Sequence, residues 1–97
     1  MKFIWDRRKN KANIKKHELD FADAYKVFES PMLAGLDERE DYGEDRWIGL
    51  GMLRSRIVVV VFTERCEDVI RIISLRKALK HERIRYEQTL RNQLGES

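Results

Sequence analysis

The chain has 97 residues, 42% hydrophobic and 38% charged, with a single Pro and a net charge of +3. One domain spanning residues 1–97 is therefore expected, with one modest core beneath a densely charged surface. No apolar run is long enough to span a membrane and no secretory leader opens the chain, so a cytoplasmic protein is expected; Cys66 has no second cysteine to pair with, and its spacing to His17 and His81 fits no zinc site.

Met1–Trp5 reads as a short strand with Phe3 and Trp5 on one face, after which Asp6 can cap a helix from Arg7 to about Lys16. That helix has few apolar members and a basic close at Lys16 and His17, beside the negative end of the helix dipole. Asp20 caps a second helix, whose Phe21, Tyr25 and Phe28 form an apolar stripe and which Ser30-Pro31 ends. A brief strand is expected over Met32–Leu36. Asp37–Asp45 is an acidic loop whose spacing does not match an EF-hand.

Arg46–Leu53 alternates as a strand, with Gly49 and Gly51 on one face marking close backbone approach or a bulge. Arg54-Ser55 leaves room only for a hairpin turn into Ile57–Phe62, an unbroken apolar run expected to be a central strand covered on both faces. Thr63–Glu67 is read as a turn and Asp68–Ser74 as the next antiparallel strand, with Arg71 on the face opposite Ser74. Ser74 is read as the cap of a last helix beginning near Leu75. There Leu75, Leu79, Glu82, Tyr86 and Leu90 make a stripe with one misfit carboxylate, and Arg76, Lys80 and Arg83 make a basic row able to face a polyanion. The expected fold is α+β, an antiparallel sheet in the order β-α-α-β-β-β-β-α with a frayed C-terminus.

Charge is segregated along the chain. Basic residues crowd Arg7–Lys16 and Arg71–Arg91, while Asp37–Asp45 is acidic, so the two basic stretches can form one anion-binding face. The bland alternative is ordinary solvated helix surface.

Several separated motifs in order resemble one family: W-D-x-x-K-x-x-x-N-x-x-K-H (Trp5, Asp6, Lys9, Asn13, Lys16, His17), F-x-x-A (Phe21, Ala24), E-x-R-x-x-x-x-G (Glu44, Arg46, Gly51), and I-R-I-I-S-x-R-K-A…E-R-x-x-Y (Ile70–Tyr86). The sequence is similar to BrnT, the toxins of a bacterial type II toxin–antitoxin system, over roughly Phe3–Tyr86. It departs from that pattern at Glu18, where the family usually has Gly, and at Leu75, where it usually has Ala. The resemblance implies a RelE-like fold and a ribonuclease that inhibits translation. It also implies neutralisation by a BrnA-like ribbon-helix-helix antitoxin, and contact with operator DNA only through the complex of the two.

RNA cleavage through the 2′-hydroxyl, without metal or cofactor, needs a base, cations at phosphorus and an acid for the leaving oxygen. The candidates are His17 as acid or base and Lys16, Arg65 and Arg76 as phosphate-holding cations, with Arg46, Arg71, Lys80 and Arg83 in support. Tyr86 and Glu82 can orient an Arg or meet a base. Ser74 fits a helix cap better than a nucleophile, Tyr86 and both Trp fit the core, and Glu82 fits a structural partner of Arg76 or Arg46. A non-catalytic RNA- or ribosome-binding module and a corepressor subunit working through its antitoxin are the two competing functions.

Overall fold

The computed structural model describes residues 1–95 and shows an α+β fold of five strands and three α-helices. Strand β1 (Lys2–Trp5) leads to helix α1 (Arg7–His17), a 3₁₀ turn (Phe21–Asp23) and helix α2 (Tyr25–Glu29). The chain then meanders through β2 (Leu33–Leu36), β3 (Trp47–Leu53), β4 (Arg56–Cys66) and β5 (Val69–Lys77), and closes on α3 (Lys80–Gln93). Asp6 caps α1 as expected, its carboxylate accepting from Lys9 N at 3.0 Å. Expected fraying at the C-terminus concerns in part Glu96 and Ser97, which lie outside the described residues.

The sheet is mixed rather than wholly antiparallel. Its order is β1-β5-β4-β3-β2, and β1 runs parallel to β5, from Lys2 opposite Val69 to Trp5 opposite Ile72. Alternation in the sequence reports which face a side chain takes but not the direction of its neighbour. Here the chain crosses the sheet from one edge at β1 to the other at β2 and meanders back, which leaves β5 aligned with β1.

One face of the sheet carries Val58, Val60, Phe62, Ile70, Ile72 and Leu75, packed under Leu19, Phe21, Ala24 and Val27 and flanked by Trp5 and Trp47. The other carries Leu50, Ile57 and Val59 against Ala78 and Tyr86. Ile57–Phe62 is thus the buried central strand it reads as. At Gly51 helix α2 comes so near that a Cβ would lie 2.7 Å from Val27 Cγ1 and 2.9 Å from Ser30 Oγ. Ser30 Oγ then ties the layers together, donating to Val27 O and accepting from Met52 N. The expected stripe of the second helix changes, since Val27 is fully buried and Tyr25 is exposed.

The largest departure lies at the end of β5. Strand pairing continues to Lys77 opposite Val58, and Ala78 N still donates to Ile57 O, so Ser74 sits in mid-strand opposite Val61 and caps nothing. Helix α3 begins five residues later than the expected start at Leu75, with Leu79 at its cap position. The i, i+4 spacing of Leu75 and Leu79 mimics a helix, but Leu75 is a fully buried strand residue and Leu79 is exposed. Leu75 therefore crowds no strand–helix junction. The expected turn over Thr63–Glu67 also shortens, because β4 runs on to Cys66.

A bulge between Ser74 and Ile72, opposite Val61 and Phe62, resets the alternation of β5. Regular pleating would put Arg71 and Arg76 on opposite faces. With Ile73 as the extra residue, Arg71 (opposite Thr63), Ser74 (opposite Val61) and Arg76 (opposite Val59) share the face on which α3 lies. Arg71 and Ser74 were expected on opposite faces, and the bulge is the reason they are not.

Helix α1 ends at Glu18, whose φ of 60° and ψ of 28° are left-handed and whose N–H donates to Ile14 O at 2.8 Å. This is the position at which Gly is at home, because a Cβ costs about 1–2 kcal/mol there. The Glu18 carboxylate reaches Lys77 at 3.7 Å, but its side chain is 82% exposed, so that pair offsets little. Glu18→Gly should raise the stability by about 0.5–1 kcal/mol after the larger chain entropy of unfolded Gly is counted. Urea unfolding measures this, and a midpoint unchanged or lowered in the variant would contradict the left-handed cap.

Candidate functional site

Helix α3 covers only part of the sheet face on which it lies. It packs over Leu50, Ile57 and Val59 through Tyr86, whose hydroxyl donates to Pro31 O at 2.6 Å, so Tyr86 is a buried structural residue. Between α3 and the β2–β3 edge runs a groove of about 310 Å3, lined by residues 33–36, Ile48, Leu50, His81, Glu82 and Arg85. Arginines stand at both ends of that face, Arg76 opposite Val59 and Arg71 opposite Thr63.

At the end nearer α3, Arg76 forks onto Glu82, with Nη1–Oε1 at 2.8 Å and Nη2–Oε2 at 2.9 Å. The Arg76 hydrogen bonds, followed by that from Leu79 N at 2.7 Å, hold the Glu82 carboxyl down at about 2 despite partial burial. The misfit carboxylate of the apolar stripe is thus the N-terminal anchor of α3 and the clamp on Arg76 at once. A guanidinium has five donors, and with its terminal nitrogens so engaged Arg76 keeps Nε–H for another acceptor. Lys80 is exposed on the first turn of α3, and Arg83 donates to Ala78 O at 3.0 Å. The expected basic row of Arg76, Lys80 and Arg83 does not form, because Arg76 is on a strand.

Lys16 and His17 reach this end through Asn13. Beyond Trp5 the outer edge of β5 has no strand partner, and the buried Asn13 amide takes its place. It donates to Leu75 O at 2.8 Å and Leu19 O at 2.9 Å and accepts from Leu75 N at 3.2 Å. His17 lies one helical turn further along α1, as Arg76 lies one residue beyond Leu75. Desolvation, followed by the charges of Lys16, Arg76 and Lys77, lowers the His17 pKa from 6.5, which keeps the imidazole neutral at neutral pH. Residues nearly sixty positions apart are thereby within electrostatic reach of each other.

Arg65 is not in this group. It lies six residues along β4 from Val59, the partner of Arg76, or about 20 Å at the strand rise. It belongs to a second cluster, where Glu44 accepts from Arg71 Nη2 at 3.0 Å and Arg46 Nε at 3.2 Å and lies 4.0 Å from Arg65. The acidic segment that supplies Glu44 is pinned. Its buried Asp37 accepts from both sides of the Arg39 fork and from Tyr42 Oη, which keeps its carboxyl far below the usual range, and the Arg46 guanidinium stacks 4.2 Å above the Tyr42 ring. The four residues named as catalytic candidates therefore divide into a pole of Lys16, His17 and Arg76 and a pole of Arg65 with Arg46 and Arg71. Ser74 lies between them on the strand.

Asn13, Glu44 and Arg85 were not singled out as site residues by the sequence. An Asn inside a helix of low apolar content was a usable signal, since such a residue tends to bond main chain. Glu44 was one acid among six, marked only by its place in the E-x-R motif. Among the described residues no group of three or more His, Cys, Asp and Glu is placed to hold a metal ion, and no helix is long and apolar enough to cross a membrane.

A family model described as "Ribonuclease toxin, BrnT, of type II toxin-antitoxin system" matches residues 5–82. None of the curated proteins matches the chain. Among solved structures, the ribonuclease toxin BrnT of Brucella abortus is similar, with a TM-score of 0.65 and 34% sequence identity over 82% of this chain and 99% of that one. The matched span contains α1, strands β2 to β5 and the Arg76–Glu82 clamp, and on that extent of agreement the chain belongs to the BrnT family of ribonuclease toxins of type II toxin–antitoxin systems.

Proposed function

We propose that this toxin is an endoribonuclease that needs no metal or cofactor and uses the Lys16–His17–Arg76 pole as its reaction centre. The observation that carries this reading is the geometry that fixes Arg76 on Glu82 and ties α1, with His17 one turn beyond Asn13, to the neighbouring Leu75. A neutral imidazole suits the base role, so His17 takes the proton of the 2′-hydroxyl as that oxygen attacks the adjacent phosphorus. The bond to the 5′ oxygen breaks, and a proton from solvent completes the leaving hydroxyl. Arg76 Nε–H and the Lys16 ammonium offset the charge gathering on the phosphoryl oxygens, the Arg through directed donors and the Lys as a point charge.

The wider reading is a RelE-like cytoplasmic toxin that inhibits translation by cutting RNA. Its neutralising partner is a BrnA-like ribbon-helix-helix antitoxin, and operator DNA is met only through that complex. Family membership supports an antitoxin partner and an RNA target, and a sheet face with arginines at both ends suits both a polyanion and an acidic partner segment.

Purified protein incubated with RNA, with and without ribosomes, should cleave it in the presence of EDTA. His17→Ala and Arg76→Ala should each lower the rate by about 100-fold or more, the scale of a lost acid–base or charge-stabilising group. Failure of the wild type to cut RNA in either setting ends the enzymatic reading in favour of a binding module or corepressor, and loss of cutting in EDTA ends the metal-free one. By proton NMR, the His17 ring should titrate below 6.5, and Arg76→Gln should move that midpoint upward because a repelling charge is gone. A midpoint above 6.5, or one indifferent to Arg76→Gln, would show that the two do not share a site.

A further inference from the structure

The second arginine pole carries more than the reaction centre requires. Three guanidinium groups, from Arg46 just before β3, from β4 and from β5, converge on the single Glu44 carboxylate, with the side chains of Arg46, Arg71 and Glu44 each only about a quarter exposed. One carboxylate neutralises one of three cations. Half-buried charge left without an anion is costly, and an arrangement whose only purpose was to hold a loop would need one arginine. Asp45 and Glu64 also line the cavity beside Arg65, but both are exposed, where solvent screens them from the guanidiniums.

A second observation at the same place is independent of charge. Thr63 is 2% exposed, lies directly across from Arg71 in the β4–β5 ladder, and has a hydroxyl with no hydrogen-bond partner among the described residues. Thr63 also lines a cavity of about 370 Å3 together with Glu44 and Arg65. Leaving a buried hydroxyl unpaired costs about 1–3 kcal/mol, and a fold retains such a group where something else completes it. A donor hydroxyl with Arg65 in its cavity and Arg71 across the ladder offers the kinds of donor that a phosphate site uses.

We propose that Arg46, Arg65, Arg71 and Thr63 bind a backbone phosphate of single-stranded RNA, and that Glu44 occupies this site as an internal anion until the strand displaces it. The proposal rests on the reading that the toxin acts on RNA. Because the bulge puts Arg71 and Arg76 on one face, four β4 residues or about 13 Å apart, a strand held at this site is directed toward the reaction centre. Glu44 then serves as a gate, since weak or isolated anions do not displace it, whereas a strand that also engages Arg76 does.

The test is binding of a 2′-O-methyl oligonucleotide, which cannot be cut through its 2′ oxygen, measured by fluorescence anisotropy over a range of salt. Glu44→Gln should bind about tenfold more tightly than the wild type, with a log–log salt slope steeper by about 0.7, the value of one further single-strand phosphate contact. Arg71→Gln added to Glu44→Gln should remove the gain. Thr63→Val, which deletes an unpaired hydroxyl and keeps the shape, should fold as stably as the wild type and bind several-fold more weakly. Equal or weaker binding by Glu44→Gln would make Glu44 a structural clamp, and unaltered binding by Thr63→Val would remove the hydroxyl from the site; either result overturns the proposal. NMR titration of Glu44→Gln with inorganic phosphate separates ligand from site. Shifts at Thr63 and Arg71 without oligonucleotide binding would show an anion site that is not for RNA, again against the proposal. Tight oligonucleotide binding by a wild type that cleaves nothing would instead count against the enzymatic reading and leave this one standing.

Discussion

The side-chain amide of Asn13 takes both hydrogen-bonding groups of the Leu75 main chain, and the placement of the proposed reaction centre depends on it. Helix α1 has almost no apolar stripe and cannot be held by burial, as its sparse Ala12 and Ile14 already indicate. Its position is set instead by a buried, fully engaged amide that substitutes for a missing strand on the open edge of β5. Such a bond is directional, so it fixes where the helix lies as well as that it docks. His17 and Arg76 each follow from it at short, rigid intervals, one along a helix and the other along a strand.

The β5 bulge is the second constraint. A site that needs cations along one sheet face cannot be written with arginines five residues apart on a regular strand, since one of them would enter the opposite core. One extra residue at Ile73 changes the parity, leaves Ile70, Ile72 and Leu75 facing the α1–α2 layer, and presents Arg71 and Arg76 together. Glu82 then fixes the second of these, and because the same carboxylate accepts from Leu79 N, the start of α3 and the orientation of Arg76 are one structural event.

Much of this was legible in the residues. The buried run Ile57–Phe62, the close approach at Gly51, the Asp6 cap, the misfit of Glu82 and its need for an arginine all follow from local pattern. Those features are set by neighbours in sequence or by burial alone. Direction of β1, the extent of β5 and the division of the arginines were not legible, for three separate reasons. Parallel pairing leaves no mark on alternation; Leu75 and Leu79 have helical spacing by coincidence; and a bulge inverts faces without any glycine to announce it. The grouping of Lys16, His17 and Arg76 came from the family resemblance, and Asn13, which joins α1 to β5, stood in the same motif with no role attached to it.

The central claim is that a neutral His17 removes the proton from a 2′-hydroxyl whose phosphate is held at Arg76. Its most direct test is the chemistry of the cut. An RNA cleaved by the wild-type toxin should carry a 2′,3′-cyclic phosphate on its upstream fragment, and the same RNA with a single 2′-deoxy residue at the cleavage position should remain whole. An upstream fragment ending in a 3′-hydroxyl, or cleavage of the deoxy substrate at the same position, would contradict the account.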